Sequence, residues 1–328
     1  MAKVSVIIPI YGVENFIGHC ADTLMQQTLQ DVEYIFVNDC TKDESISILK
    51  EVLSRYDHRK DQIRIVEHEK NKGLPTARNT GLAIATGEYI LHCDGDDFVE
   101  PTMLEELYNS AKEQDADIVW CDFFESYKDK EIYKSEPDYL VAEDATKSML
   151  SGSMKYNVWN KLVRRSLYKT SKVTFPEGRS MGEDLTIIKL FAVADRVCHI
   201  SQALYHYVRW NEGAMTQKWT QDKIQALKGN VSDVAEYMHK WKGNMYDSEL
   251  AYLKLWLKFQ FLLTDGSNGM YHQWSMWFPD SNLYIKTLPG ANSRLKLLMS
   301  MAAKEQWWFV WIHYWVIVKW YYGIVYNR

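Results

Sequence analysis

An α/β architecture is what the sequence predicts: a mostly parallel, Rossmann-like sheet flanked by helices, with a helical extension after it. Three observations carry this. From residue 3 to about residue 125, short β-branched apolar runs alternate with stretches whose apolar residues recur every three or four positions, the pattern of parallel strands joined by helices. Polar residues follow three of the strand-like runs directly, at Tyr11, Asp39 and Asp94, and such sheets bind ligands at the carboxyl ends of their strands. Beyond about residue 219 only the helical period persists, dominated by Trp, Tyr and Leu.

Taken in order, "KVSVIIPI" reads as a buried strand ended by Pro9 and Gly12. In "ENFIGHCADTLMQQT", Phe16, Ile17, Cys20 and Leu24 have helical spacing. "VEYIFVND" is a second strand, and Ile46, Leu49, Leu53 and Tyr56 mark a second helix. "IRIVEH" and "EYILHCD" are the third and fourth strands, separated by the helix "LPTARNTGLAIATG" that Gly87 closes. A helix near Met103 to Ala111 and a strand at "DADIVWCDFF" complete the run. Afterwards the alternation fades. "YKDKEIYKSEPDY" reads as a charged loop or an edge hairpin, "MGEDLTIIKLFAVADRV" as a helix with Glu183 and Asp184 at its amino end, and "CHISQALYHYVRW" as strand-like.

A chain of 328 residues is long for one domain, and 47% hydrophobic content supports a sizeable core. The five cysteines are odd in number and form no CxxC pair, which predicts free thiols in a reducing compartment and no zinc site. The first apolar run is too short, and broken by Pro9, to read as a cleavable leader. A net charge of −5 argues against nucleic acid as a partner. The charge is uneven: residues 286–328 hold six basic side chains and one acid, so this tail is +5 and the rest −10. A basic tail on an acidic body points to an anionic surface. No GxGxxG follows the first strand, against a dinucleotide-binding oxidoreductase. Nor is there a basic phosphate loop there, since "PIYGVENF" has no Lys or Arg until Lys42, against a sugar nucleotidyltransferase.

"YILHCDGDDF" turns from an apolar run into three carboxylates, Asp94, Asp96 and Asp97. Such close acids repel, and burying them unpaired is costly. A hard divalent cation, Mg²⁺ or Mn²⁺, would remove the repulsion and keep positions open for phosphate oxygens. The other reading is a solvated acidic turn ahead of the Pro101 helix. Asn38, Asp39, Thr41 and Asp43 suit a base or ribose, or equally a turn and helix cap. Arg78 suits a phosphate or a stacked base, or is a plain surface arginine. Glu183 and Asp184 are a catalytic pair or merely acids favoured at a helix amino end. Trp159 and Lys161 in "NVWNKLV" line an acceptor, or are a core Trp with solvated neighbours.

Together, "VSVIIPIYGVENFI", "FVNDCTKDES", "NKGLPTARNTGLAIATGEYILHCDGDD", "VWNKLVRRSLY" and "MGED" resemble the family 2 glycosyltransferases, in order over residues 3 to 210. These are inverting enzymes of the GT-A fold that use nucleotide-diphosphate sugars, many of them building bacterial surface polysaccharides. The resemblance implies a GT-A domain over 1–215, with a nucleotide-sugar half at about 1–125 and an acceptor half at about 126–215, before a helical region over 216–328. It implies that Pro9, Tyr11 and Glu14 line the nucleotide pocket, that Asp39 bonds the base, usually uracil, and that Arg78 sits beside the nucleotide. Asp94, Gly95 and Asp96 become the DxD segment, Asp94 near the ribose and Asp96 on the metal, with Asp97 in support. Asp184 becomes the catalytic base, with Glu183 orienting it or meeting the acceptor, a glycan or lipid-linked glycan. A nucleotide-sugar binder without turnover is the alternative, disfavoured by the intact Asp184 and DxD. One departure is Asn38-Asp39-Cys40-Thr41, where the family commonly has Asp-Asp-Gly-Ser.

The run "WWFVWIHYWVIVKWYYGIVY", residues 307–326, approaches the length of a membrane span, but Trp and Tyr prefer the headgroup region, and His313 and Lys319 interrupt it. The expectation is an interfacial helix that makes 286–328 a peripheral contact on the cytoplasmic face of the inner membrane. The alternative is an aromatic helix packed on protein.

Overall fold

The computed structural model describes residues 2–211 and 220–322, and the join expected at residues 215 and 216 lies outside them. The chain up to Ala145, together with Tyr156–Tyr237, forms one compact unit; Thr146–Lys155 with the chain from Met238 onward forms a second.

The first unit is built on a sheet of nine strands: β1 (Val4–Ile10), β2 (Val32–Asn38), β3 (Ile63–Glu67), β4 (Tyr89–His92), β5 (Phe98–Val99), β6 (Ile118–Ser126), β7 (Glu131–Lys134), β8 (Lys161–Arg164) and β9 (Val197–Val208). Their order is β3-β2-β1-β4-β8-β6-β9-β5, with β7 paired to β6. The first four are parallel, as the alternation predicted. They are joined through α1 (Ile17–Met25), α2 (Ser45–Leu53) and α3 (Leu74–Ile84). Helices on both faces explain why β1 and β2 read as unbroken apolar runs rather than alternating ones. From β8 onward the sheet is mixed: β8 runs antiparallel to both β4 and β6, while β9 runs parallel to β6. The charged stretch after β6 is an edge hairpin, β7 lying antiparallel on β6. Helices α4 (Met103–Glu113), α5 (Ala142–Ser151), α6 (Arg165–Ser171) and α7 (Thr186–Phe191) follow, and a 3₁₀ turn at Glu183–Leu185 leads into α7.

Close approach of backbone explains Gly87. A Cβ there would lie 2.5 Å from the Ser5 backbone nitrogen, and it would break the bond that the Gly87 N–H donates to Ser5 Oγ at 2.8 Å. Neither neighbour is the end of a flexible chain. Gly87→Ala is therefore expected to cost about 3 kcal/mol, read as a lowered urea midpoint; an unchanged midpoint would show that β1 and β4 can part without penalty.

Beyond α8 (Gln221–Lys242), the second unit consists of α9 (Asp247–Phe259), α10 (Asn268–Met276), α11 (Ser293–Ala303) and α12 (Trp307–His313), the last running into a π-helical segment, Tyr314–Tyr322. Leu250, Trp274, Trp277, Leu288, Leu298 and Met299 are buried in it. Lys258 is buried there too. Its ammonium donates to Asn282 Oδ1 at 2.6 Å and Trp277 O at 3.1 Å and lies 4.4 Å from the centre of the Trp274 ring. Burial pulls its pKa down to about 7. Among the described residues no helix is long and apolar enough to cross a membrane; residues 323–326 of the aromatic run lie outside them.

Candidate active site

The order β2-β1-β4 sets three parallel strand ends side by side, so Asp39, Tyr11 and Asp94 share one rim. Tyr11 is 54% exposed on it. A Cβ on Gly95 would lie 2.9 Å from Pro9 O, so only glycine lets the acidic loop close over the end of β1. The segment after β2 is wired by its own side chains. Asp43 Oδ1 accepts from the Thr41 and Ser45 hydroxyls at 2.7 Å each, Asp43 Oδ2 accepts from the Glu14 N–H at 3.0 Å, and Glu14 Oε2 accepts from the Glu44 N–H at 3.1 Å. Cys40, where the family commonly has glycine, adopts φ +56°, the left-handed region that favours glycine.

Asp39 is buried, and its carboxylate has a structural duty. It accepts from the N–H groups of Lys72 and Gly73, each at 2.8 Å, immediately ahead of α3. It also meets His68 Nδ1 at 2.7 Å, and His68 Nε2 reaches Thr80 Oγ1 at 2.9 Å within α3.

Arg78 is no surface arginine: 1% exposed, it gathers the acids. Nη2 donates to Asp94 Oδ1 at 2.9 Å and Nη1 to Asp184 Oδ1 at 2.6 Å. Glu183 Oε1 lies 3.6 Å from Nη1, and the Phe175 ring sits 5.4 Å from the guanidinium carbon. One cation thus ties the acids after β4 to the acid pair before α7. Burial, then the Asp184 charge, pushes the Glu183 carboxyl up to about 8. Asp184 is raised by burial too, against the pull of Arg78. Glu183 thus holds its proton to near neutral pH, while Asp184 is the member of the pair bonded directly to Arg78.

Asp96 accepts from Asn211 Nδ2 at 2.7 Å. Asp97 is buried, accepting from Tyr205 Oη at 2.7 Å and from the Val208 N–H at 2.8 Å, and the Asp94 N–H donates to the same Tyr205 oxygen at 3.2 Å. Burial first, and the Asp94 charge second, raise the Asp96 carboxyl. Burial raises Asp97 further, with Asp96 and Asp94 adding to it. Among the described residues no three His, Cys, Asp or Glu side chains converge as a metal cage. The chemistry of the donors fits Mg²⁺ or Mn²⁺: the carboxylate oxygens of Asp94 and Asp96 are hard ligands, and their mutual repulsion is what a divalent cation would relieve.

The two residues expected on the acceptor side are both buried. Trp159 is buried, stacked on Tyr205 at 4.4 Å and Tyr207 at 5.3 Å. The fully buried Lys161 donates to Asn160 Oδ1 at 2.8 Å, and burial lowers its pKa to about 8. Tyr156 was missed: it lies near enough to the acid pair that burial, then the charges of Asp184 and Glu183, lift its phenol to about 12. Tyr205 and Asn211 were missed as well, and no local spacing signals them. His92 is structural, buried edge-on against Phe175 with ring centres 4.9 Å apart.

Against known proteins, the chain is 37% identical over 224 residues to the uncharacterized glycosyltransferase EpsJ of Bacillus subtilis, a match covering 65% of this chain and 63% of EpsJ. It is 27% identical over 220 residues to the poly(ribitol-phosphate) beta-N-acetylglucosaminyltransferase TarS of Staphylococcus aureus, covering 65% of this chain and 36% of that protein. Both matches thus span less than two thirds of the relative. The crystal structure of TarS residues 1–349 in complex with UDP-GlcNAc superposes with a TM-score of 0.74 at 20% identity, covering 95% of this chain and 91% of that one, and shows the shared GT-A fold. A mannosyltransferase from Pyrobaculum calidifontis, in complex with GDP-Man and Mn²⁺, superposes at 0.54 with 14% identity, covering 95% and 86%. The profile described as Glycosyl transferase family 2 matches residues 5–181, more than half of the chain, and the chain belongs to that family.

Proposed function

We propose that the chain moves a sugar from a nucleotide-diphosphate donor, a UDP-sugar, to a hydroxyl of a glycan or lipid-linked glycan in one inverting displacement. The observation that supports this reading is the double grip of Arg78 on Asp94 and Asp184, the two acids to which it gives the donor-side and base roles. A sugar hydroxyl is a poor nucleophile at neutral pH, so a carboxylate within hydrogen-bond reach must take its proton. Asp184 takes it as the acceptor oxygen bonds to the anomeric carbon. The bond from that carbon to the diphosphate breaks on the opposite face, its electron pair leaving with the phosphate, through an oxocarbenium-like transition state. Glu183, protonated beside Asp184, holds the acid pair in register. Tyr11, Pro9, Glu14 and Asp39 frame the base and ribose on the rim. A divalent cation held by Asp96 and Asp94 would offset the charge on the departing diphosphate. The UDP-GlcNAc in TarS and the Mn²⁺ in the archaeal mannosyltransferase support donor and metal. The five free cysteines favour the reducing cytoplasmic side, where nucleotide sugars are drawn from.

The test is a binding and hydrolysis screen of nucleotide sugars with and without Mn²⁺, on the native chain and on Asp96→Ala. At least one UDP-sugar should bind or slowly hydrolyse only with metal and with Asp96 intact. If no nucleotide sugar binds under any condition, the transfer reading falls.

A further inference from the structure

The aromatic helix of the second unit has two apolar faces, and among the described residues only one is covered. Val310 and Tyr314 are buried, and Trp307 stacks on Tyr271 with ring centres 5.3 Å apart, the planes 10° from parallel. On the other side Trp308, Trp311, Ile312, Trp315, Val316 and Trp320 are each between 46% and 65% exposed. They recur every three or four residues, so they form one stripe along the helix. Only one charged residue interrupts it, the exposed Lys319.

We propose that this stripe docks on an anionic lipid surface, lying in the headgroup layer and not crossing it. Three features choose this occupant. The exposed large residues are mainly indoles, which favour the water–membrane boundary over a hydrocarbon or protein core. The exposed Lys319 is the one charged side chain within the stripe, and no acid occurs after Glu305, so its field complements anionic headgroups. No helix among the described residues is long and apolar enough to span, which leaves the interfacial mode. A second copy of this chain would bring two Lys319 ammoniums into one apolar seam with no acid in the stripe to pair them. The inference stands on the stripe alone and does not depend on the transfer reading.

The test is co-sedimentation of the full chain with vesicles of phosphatidylcholine alone and of phosphatidylcholine with phosphatidylglycerol, at low and high salt, alongside Trp311→Ser/Trp315→Ser and Lys319→Glu. The native chain should sediment with the anionic vesicles and be partly released by salt. The double variant should bind at least about tenfold more weakly and Lys319→Glu several-fold more weakly. Both variants should keep the native thermal midpoint, because the altered side chains are exposed. Failure of the native chain to bind either vesicle overturns the proposal. So does binding that both variants retain, or a dimer in solution that the same substitutions dissociate.

Discussion

Asp184→Asn is expected to lower kcat about a thousandfold, with donor affinity little changed. The amide keeps the shape of the carboxylate and can still accept from Arg78, but it cannot take a proton. The measurement is acceptor-dependent release of nucleoside diphosphate. Glu183→Gln is the informative contrast. Because the Glu183 carboxyl is pushed up to about 8, it is mostly protonated at pH 7, and glutamine mimics that form; activity should stay within about fivefold of native. The pH profiles carry the sign. Native activity should rise with pH as Asp184 ionises, its pKa being above the usual aspartate value, and decline above pH 8 as Glu183 adds a second buried charge. Glu183→Gln should remove only the alkaline decline. Stability follows the same linkage. Between the ordinary glutamate pKa and about 8, the folded chain holds a proton that the unfolded chain has lost, so stability falls as pH rises through that window, and the glutamine variant should flatten the slope. If Asp184→Asn keeps more than a tenth of the activity and Glu183→Gln loses most of it, the roles are reversed.

Arg78→Met should be strongly destabilising, costing about 3 kcal/mol or more. The methionine fills the space against Phe175 but leaves Asp94, Glu183 and Asp184 crowded without their cation. The deficit should shrink as pH falls and the acids protonate, which separates a charge effect from a packing effect in urea titrations at pH 5 and pH 8. Arg78→Lys should recover only part of the stability. An ammonium is a point charge and cannot reach Asp94 and Asp184 at once as the planar fork does. Equal midpoints for Arg78→Met and the native chain at pH 8 would mean that the acids are already neutralised by protons.

The half of the sheet that the sequence reveals is the half made of local units. In β1–α1–β2–α2–β3–α3–β4, each strand is followed at once by the helix that covers it, so periodicity alone exposes the order. The other half is assembled from pieces far apart in sequence. The four-residue strand β8 inserts between β4 and β6, and the two residues of β5 pair with β9. Runs that short have no period to read. The site divides along the same line. Asp94, Asp96 and Asp184 stand out as clustered acids, and their family resemblance names them. Their partners do not stand out: Tyr205 and Asn211 reach the acidic loop across more than a hundred residues. Arg78 is visible as a candidate, yet nothing in its neighbours announces that it meets Asp184 across 106 residues. The aromatic stripe was legible because its spacing is helical. Which side faces out is set by packing that no spacing encodes: Val310 and Tyr314 occupy the inner side.

Helix α3 is a shared strut. Asp39 seats the turn that starts it, His68 pins its middle through Thr80, and Arg78 projects from it to Asp184. Redesign of this protein inherits that economy. Replacing the segment after β2 would also unseat the arm that holds Asp184, so under the proposed roles residues 38 to 84 must be redesigned as one segment and not as two independent modules.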